Sequence, residues 1–417
     1  MAYNRKQRLN DNIKAIETAF ILDREQRTPT ARERLLLERY CGFGGLKCIL
    51  NPARELADAV HWAKSDLELF APTVELHRLI RENSKNESEY KQLMDSLKQS
   101  VLTAFYTPSA VTEALTDVLK EHQIIPEKVL EPSAGIGAFV DSVLDNNPKA
   151  DIMAFEKDLL TGKILRHLHP EQKVRIEGFE KIEKPFNDYF DLAISNIPFG
   201  DVAVFDPSYT AMKGMRALVT RRIHNYFFVK ALDTVRDGGL VAFITSQGVL
   251  NAKNNSAARF MMLYHADLVS AIRLPNNLFT ETANTEVGSD LIILQKNSQK
   301  ESLRGDDNLL DTVYNDENRI PTNNYFLEHP ERIIHSTAKL DTDPFGKPAM
   351  IYTHEDGVEG IAEDLRKMLH EDFKKNLNLN RYLGIEETKA EEVKEVEETE
   401  KIEKTEKMKP SIEEKQN

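Results

Sequence analysis

Two short stretches concentrate the residue types that could do chemistry. The first is VLEPSAGIGAFV, residues 129–140. An apolar run ends in Glu131, and Gly135 and Gly137 follow, with Ser133 carried on the same turn. Glycines at that spacing let the backbone turn tightly and approach a ligand at a helix start. The dinucleotide fingerprint needs a third glycine, and Val140 stands in its place. An acid at the strand end, such as Glu131, suits an ammonium group, which a nicotinamide cofactor lacks and S-adenosylmethionine carries. Glu156 ends the next apolar run, 21 residues after Gly135, where an acid accepts both hydroxyls of a ribose. A tight turn with two solvated carboxylates would use the same residues.

The second stretch is FDLAISNIPFGD, residues 190–201. A buried strand runs to Ser195 and then gives way to Asn196, Ile197, Pro198 and Phe199. An amide, a proline and an aromatic in that order suit a polar edge and a flat face held beside each other. They also suit a plain turn closed by Pro198 and Gly200, with Phe199 in the core. Upstream, AFYTPSAVTEAL (104–115) offers Thr107 as the cap of a helix starting at Pro108. The same geometry would put Tyr106 and Thr107 beside a cofactor.

Seven short apolar runs must carry these residues: KVLEPS, DIMAFE, KVRIEG, FDLAIS, GLVAFITS, DLVSAIRL and SDLIILQK. Most are continuous rather than alternating, as in strands covered on both faces. Helical stretches such as AVTEALTDVLKEH and AFVDSVLDN lie between the early ones. That is the βαβ pattern of a doubly wound α/β sheet. Residues 1–100 read as a helical N-terminal region, from RERLLLERY and YKQLMDSLKQSVL, interrupted by a flexible turn at Gly42–Gly45. The sheet pattern occupies 101–297. An accessory region, 298–385, is polar and irregular at first and has a helix at GIAEDLRKMLHEDFKKN. Residues 386–417 hold twelve acidic and seven basic residues, so this tail carries -5 of the net charge of -13. A tract so charged, with no aromatic residue, stays solvated or forms a lone helix.

Composition excludes several classes. No apolar run approaches a bilayer span, so no membrane partner is expected. MAYNRKQRLN has no apolar segment behind its basic residues, unlike a secretory leader. Cys41 and Cys48 are the two cysteines, too few for a zinc site without nearby histidines. Reduced thiols in a cytoplasmic protein, with no metal, are the expectation.

The order FYTP, EPSAGIG, FE and NIPF, over roughly residues 100–297, resembles the gamma-type adenine-specific DNA methyltransferases, including the modification subunits of type I restriction systems. YCGFGGL before it and NNYFLEHPERI after it resemble the methylase portion of large helicase-methylase fusion proteins of bacterial mobile elements. The resemblance implies a Rossmann-like class I S-adenosylmethionine-dependent fold, with a seven-stranded mostly parallel sheet. It implies cofactor contacts from Tyr106, Thr107, Glu131, Ser133, Gly135, Gly137, Glu156, Phe179 and Asn196. It also implies that Asn196 and the Ile197 carbonyl accept the two hydrogens of an adenine amine, that Pro198 stiffens the turn, and that Phe199 stacks on an extruded base. Two positions depart from the family pattern: Ile197 replaces a proline, and Gly178 stands where many relatives carry an aspartate near the cofactor adenine. Lys213, Arg216, Arg221 and Arg222, in a long insertion after the fourth strand, suit DNA phosphates or a solvated helix start. A helicase or specificity module is a further expected partner. RNA or protein glutamine as substrate, or an inactive binding relative, are the alternatives.

Overall fold

The computed structural model describes residues 4–385 apart from 104, 213, 284, 304–306, 315–318 and 344–345. The acidic tail and Lys213 lie outside the described residues. Contacts divide the chain into Met1–Leu377 and Asn378–Asn417. In the second unit, a short helix, Leu379–Leu383, is capped by the Asn378 side chain, which accepts from the Arg381 amide.

The first unit is built on a seven-stranded sheet in the order β3-β2-β1-β4-β5-β7-β6. Its strands are β1 (Lys128–Glu131), β2 (Asp151–Phe155), β3 (Lys173–Arg175), β4 (Phe190–Asn196), β5 (Val235–Ser246), β6 (Ala266–Leu274) and β7 (Ser289–Lys296). Each falls on one of the seven apolar runs. β1 to β5 pair in parallel, while β7 runs antiparallel to both β5 and β6. With one reversed strand near the edge, this is the class I methyltransferase-like α/β sheet expected from the sequence. β5 begins four residues before the apolar run GLVAFITS, because the register jumps between Phe190 and Leu192 and Gly238 takes up the extra chain at φ +75°.

The helices have local causes. Asp158 caps α7 (Leu159–Leu168) by accepting from the Thr161 amide. Thr30 and Glu33 form a reciprocal capping box on α2 (Ala31–Leu37). Leu9, Ile13, Ile16 and Phe20 of α1 (Arg5–Glu25), with Leu76 and Ile80 of α3 (Phe70–Glu82) and Leu93 and Leu97 of α4 (Glu87–Thr103), share one core with Leu160, Ile164 and Leu168 of α7. The N-terminal helices thus cover one face of the sheet's second crossover. Asp23 strengthens the join by meeting Lys163 and His167. The GFGG turn has Gly42 at φ +67° and Gly45 at φ +76°, which glycine tolerates. Buried Asn12 pins it, donating to the Gly42 carbonyl at 2.6 Å and accepting from the Cys41 amide at 2.9 Å. Cys41 and Cys48 are free thiols.

α5 (Ser109–Glu121) packs against α6 (Ala138–Asn146), and both α5 and β6 pack against α10 (Gly357–Asn376). α8 (Ile223–Thr234) and α9 (Ser256–His265) contribute Tyr226, Phe228, Met262 and Leu263 to the main core. No helix among the described residues is long and apolar enough to cross a membrane.

Between β6 and β7, Arg273 Nε donates to Asp290 Oδ1 at 2.9 Å with both side chains almost fully buried. Arg273 also donates to Asn251 at 3.0 Å and lies over the Phe326 ring. Removing one partner leaves the other charge buried and alone. Asp290→Ala should therefore cost about 3–5 kcal/mol in a urea titration. An unchanged midpoint would show that Arg273 finds a new partner.

Candidate active site

The carboxyl ends of β1, β2 and β4 lie side by side. Glu131 is paired with Ala154, and Leu130 with both Met153 and Ala193. This parallel alignment brings Glu131, the turn after it, Glu156 and Asn196 to one edge of the sheet.

The turn is cramped in the way its glycines require. Gly135 and Gly137 have φ of +56° and +91°. A Cβ on Gly135 would stand 2.8 Å from the Tyr106 ring, and one on Gly137 would stand 2.7 Å from His169 Nε2. The Gly135 amide donates to Glu156 Oε2 at 2.8 Å, and the Asp158 amide to Glu156 Oε1 at 2.7 Å. Burial, with Asp158 nearby, pushes the Glu156 carboxyl up to about 8 against those two amides. Burial also raises Glu131 well above the carboxylate range, with Asp141 and Glu156 adding to the effect.

Among the described residues, Glu131 Oε2 and Thr107 Oγ1 are buried oxygens without a hydrogen-bond partner. Such an atom costs about 1–3 kcal/mol unless a ligand supplies the missing partner. A carboxylate oxygen waiting for a donor fits the ammonium of S-adenosylmethionine, and a turn that any Cβ would fill fits close approach by its methionine part. The residues present therefore suit that cofactor. Thr107 does not cap α5: the helix starts at Ser109, with extended Pro108 as its cap residue, and no side chain caps it. Pro108 is extended at ψ 141° and lies outside the helix, so Thr107 sits one residue before the cap position and its oxygen does not meet the first helical amides.

The FYTP and NIPF segments are joined directly. Asn196 Nδ2 donates to the Phe105 carbonyl at 2.9 Å. This orients the amide and leaves Oδ1 as its open end. The Ile197 amide donates to Ile244 O at 2.9 Å, and its side chain is buried in the core. Phe199 is half-buried, not in the core, and meets the edge of Phe279 with ring centroids 6.4 Å apart. Phe105 meets the same ring at 6.5 Å. Ser195 Oγ donates to the Ser133 carbonyl at 3.1 Å, which ties the glycine turn to the end of β4.

Phe179 is fully buried among Phe155, Tyr226 and Phe227. Beside it, the Glu180 carboxylate folds over Gly178 and fills the space where a side chain would begin. A cavity of about 360 Å³ adjoins the turn, lined by Tyr40, Tyr106, Thr107, Ile136 and Asp141 among others. It does not reach Glu131, Glu156 or Asn196. Burial pushes the Asp141 carboxyl up to about 6.

The basic insertion is less open than its sequence reads. Arg216 is committed to Asp233 at 2.6 Å. Arg222 is committed to Asp201 at 2.7 Å and to Asn254 at 2.6 Å. Arg221 is exposed.

Several contributors were not named from sequence. Ser96 of α4 donates to Asp158 Oδ2 at 2.6 Å, and Tyr40 lies 3.2 Å from Thr161 Oγ1, where it joins the expected Tyr106 at 3.5 Å. The acid two residues after Glu156 was the available signal for Asp158. Nothing local marks Ser96, Tyr40 or Phe279.

Comparison with known proteins shows the family of the chain. The family model described as N-6 DNA Methylase matches residues 88–391. The chain is 28% identical over 201 residues to the Defense against restriction protein B of Escherichia phage P1, covering 47% of this chain and 8% of that protein. It is 25% identical over 173 residues to the Type II methyltransferase M.XamI of Xanthomonas campestris pv. amaranthicola, covering 38% of this chain and 33% of that one. The chain thus spans well under half the length of either relative. Among solved structures, the type I restriction-modification methyltransferase subunit of Streptococcus thermophilus aligns at 12% identity and a TM-score of 0.42, over 90% of this chain and 93% of that one. The matched span holds FYTP, the glycine turn, both acids and NIPF, and the chain belongs to the N-6 DNA methylase family.

Proposed function

We propose that this chain methylates the exocyclic amine of an adenine that has been turned out of DNA and into a seat made by Asn196, Ile197, Pro198 and Phe199. The observation that carries the reading is the Asn196 amide: its nitrogen is held by the Phe105 carbonyl, so its oxygen is the end free to accept. S-adenosylmethionine supplies an electrophilic methyl group on a sulfonium. The exocyclic amine is a weak nucleophile, because its lone pair is delocalised into the ring. Asn196 Oδ1 and the Ile197 carbonyl would accept its two hydrogens and so concentrate charge on the nitrogen that takes up the methyl group. One amine proton then leaves to solvent. Pro198 stiffens the turn, so the acceptors are already in position. Phe199, half-exposed beside Phe279, offers its face to the base.

Glu131 would pair with the cofactor's ammonium, and Glu156 would accept from its ribose. Tyr106, Thr107, Ser133, Gly135, Gly137 and Phe179 would complete the cofactor site. On the DNA side, Arg221 is the exposed member of the basic insertion among the described residues. Arg216 and Arg222 would have to leave their acids to reach a phosphate, and Lys213 completes the set. We also assign residues 101–297 as the catalytic module, 1–100 as its helical cover and 298–385 as an accessory region, with the tail after 386 apart. The module would work beside a helicase or specificity module, and its product would be DNA protected from restriction.

Three outcomes test this. Asn196→Ala should lower tritiated methyl transfer to DNA by about a hundredfold or more, with calorimetric cofactor binding largely kept. Activity within a few-fold of the parent would make Asn196 a turn residue only. RNA and release-factor-type glutamine peptides, assayed alongside, should accept no label.

The second outcome follows from Glu156. Its folded pKa, near 8, stands above the unfolded 4.5, so the folded state holds the extra proton between those values. The cofactor-free protein should therefore lose stability as pH rises from about 4.5 through about 8. Glu156→Gln should flatten that fall in thermal melts, and it should weaken S-adenosylmethionine binding by about 1–3 kcal/mol. A parent melting temperature independent of pH across that window would contradict both the shift and its cause.

The third outcome is electrostatic. DNA binding should weaken with log salt, and Arg221→Gln should flatten the slope by about 0.9 for each phosphate lost. Phe199→Ala should instead weaken binding by about 1–3 kcal/mol with the slope unchanged. An Arg221→Gln protein with the parent's slope would remove this insertion as the DNA contact.

A further inference from the structure

Directly after the Asn196–Phe199 turn, the chain holds two large apolar side chains out in solvent. Phe205 is 78% exposed and Val202 is 60% exposed. Exposed apolar residues are common when scattered singly. These two sit on a segment that is fastened from within. Asp201 is paired with Arg222 Nε at 2.7 Å, and Arg222 also reaches Asn254 and Asn255. The Val204 amide donates to the Thr220 carbonyl at 2.8 Å, and its side chain packs against the main core. Asp206 is 3% exposed and accepts from Tyr226 Oη at 2.7 Å, the Ser208 amide at 2.8 Å and Lys230 Nζ at 3.3 Å.

Residues 204 and 206 are therefore anchored inward and Asp201 is held at the surface by Arg222, while the Val202 and Phe205 side chains stand in solvent. A free loop would fold a phenylalanine inward and recover its burial. Here the anchors forbid that, so the segment presents a preformed apolar tip.

We propose that Val202 and Phe205 form a wedge that enters duplex DNA beside the target adenine. There they take up the space that the extruded base leaves in the stack. This rests on the proposed function and deepens it, since it says how the base is brought to the seat. Three features point to DNA rather than to a protein face. The tip follows the base-accepting turn without an intervening element. Arg222, which clamps the tip, is next in sequence to exposed Arg221, so a cation for a flanking phosphate sits at its base. An apolar side chain between base steps compensates part of the lost stacking and keeps the duplex open. Extrusion from a paired duplex requires that help, whereas an adenine in a single strand does not.

The experiment compares the full chain with Phe205→Ser and Val202→Ser, using tritiated S-adenosylmethionine and one plasmid DNA in native and heat-denatured forms. Both variants should lose about tenfold or more of the rate on native DNA and stay within about twofold on denatured DNA. As a second readout, permanganate should oxidise thymines left unpaired on the native plasmid with the parent and a non-reactive cofactor analogue bound. That signal should fall to background with Phe205→Ser and persist with Asn196→Ala. Equal losses on both DNA forms, or the parent's rate ratio and permanganate pattern in both variants, overturn the wedge, the latter making the tip a seat for another protein. A parent that methylates neither form refutes the proposed function itself, and the wedge with it. That failure is recognisable because it appears without any substitution.

Discussion

Parallel pairing of β1 with β2 on one side and β4 on the other is the constraint on which the site depends. Parallel strands present their carboxyl ends at the same edge. Residues at 131, 156 and 196 therefore meet although 65 positions of chain separate the first from the last. The Gly135–Glu156 hydrogen bond then ties the first turn to the second strand, and the Ser195–Ser133 hydrogen bond ties it to the fourth. Both are short contacts that a side chain at Gly135 or a slipped register would break.

The N-terminal helices are part of this arrangement. Ser96 holds Asp158, Asp158 caps α7, and the Asp158 amide holds Glu156. A polar relay thus runs from α4 to the acid assigned to the ribose. It lies next to the apolar core shared by α1, α3, α4 and α7, where low local polarity makes each such bond costly to lose. The same surroundings raise the Glu131 and Glu156 carboxyls. Burial that strains the site without its cofactor is burial that strengthens its grip on an ammonium once one is present.

Electrostatics also divides the basic insertion. Four cations close together in an acidic chain suggest a phosphate-binding surface. The fold spends Arg216 and Arg222 on Asp233 and Asp201, which shapes the insertion and keeps Val202 and Phe205 outward. Cations can serve as fasteners as readily as contacts, and only the position of their acids distinguishes the two.

Much of the fold was legible in the sequence, for a local reason. Strands covered on both faces read as continuous apolar runs, and all seven are where those runs are. The glycine turn, Glu131 and Glu156 could be picked out because strand–glycine–helix order and an acid at a strand end are local patterns. What the sequence could not determine is whatever depends on partners distant along the chain. It suggested a Thr107 cap, but the helix begins one residue late and the threonine oxygen is left buried without a partner. It left Phe199 open between core and surface, and packing against Phe279, 80 residues on, decided the matter. It gave no sign that the Phe105 carbonyl would hold Asn196, and so decide which end of the amide is free. Periodicity and turn chemistry act over a few residues and can be read from the chain. Hydrogen-bond pairing and burial are set by which surfaces meet, and only the tertiary structure decides that.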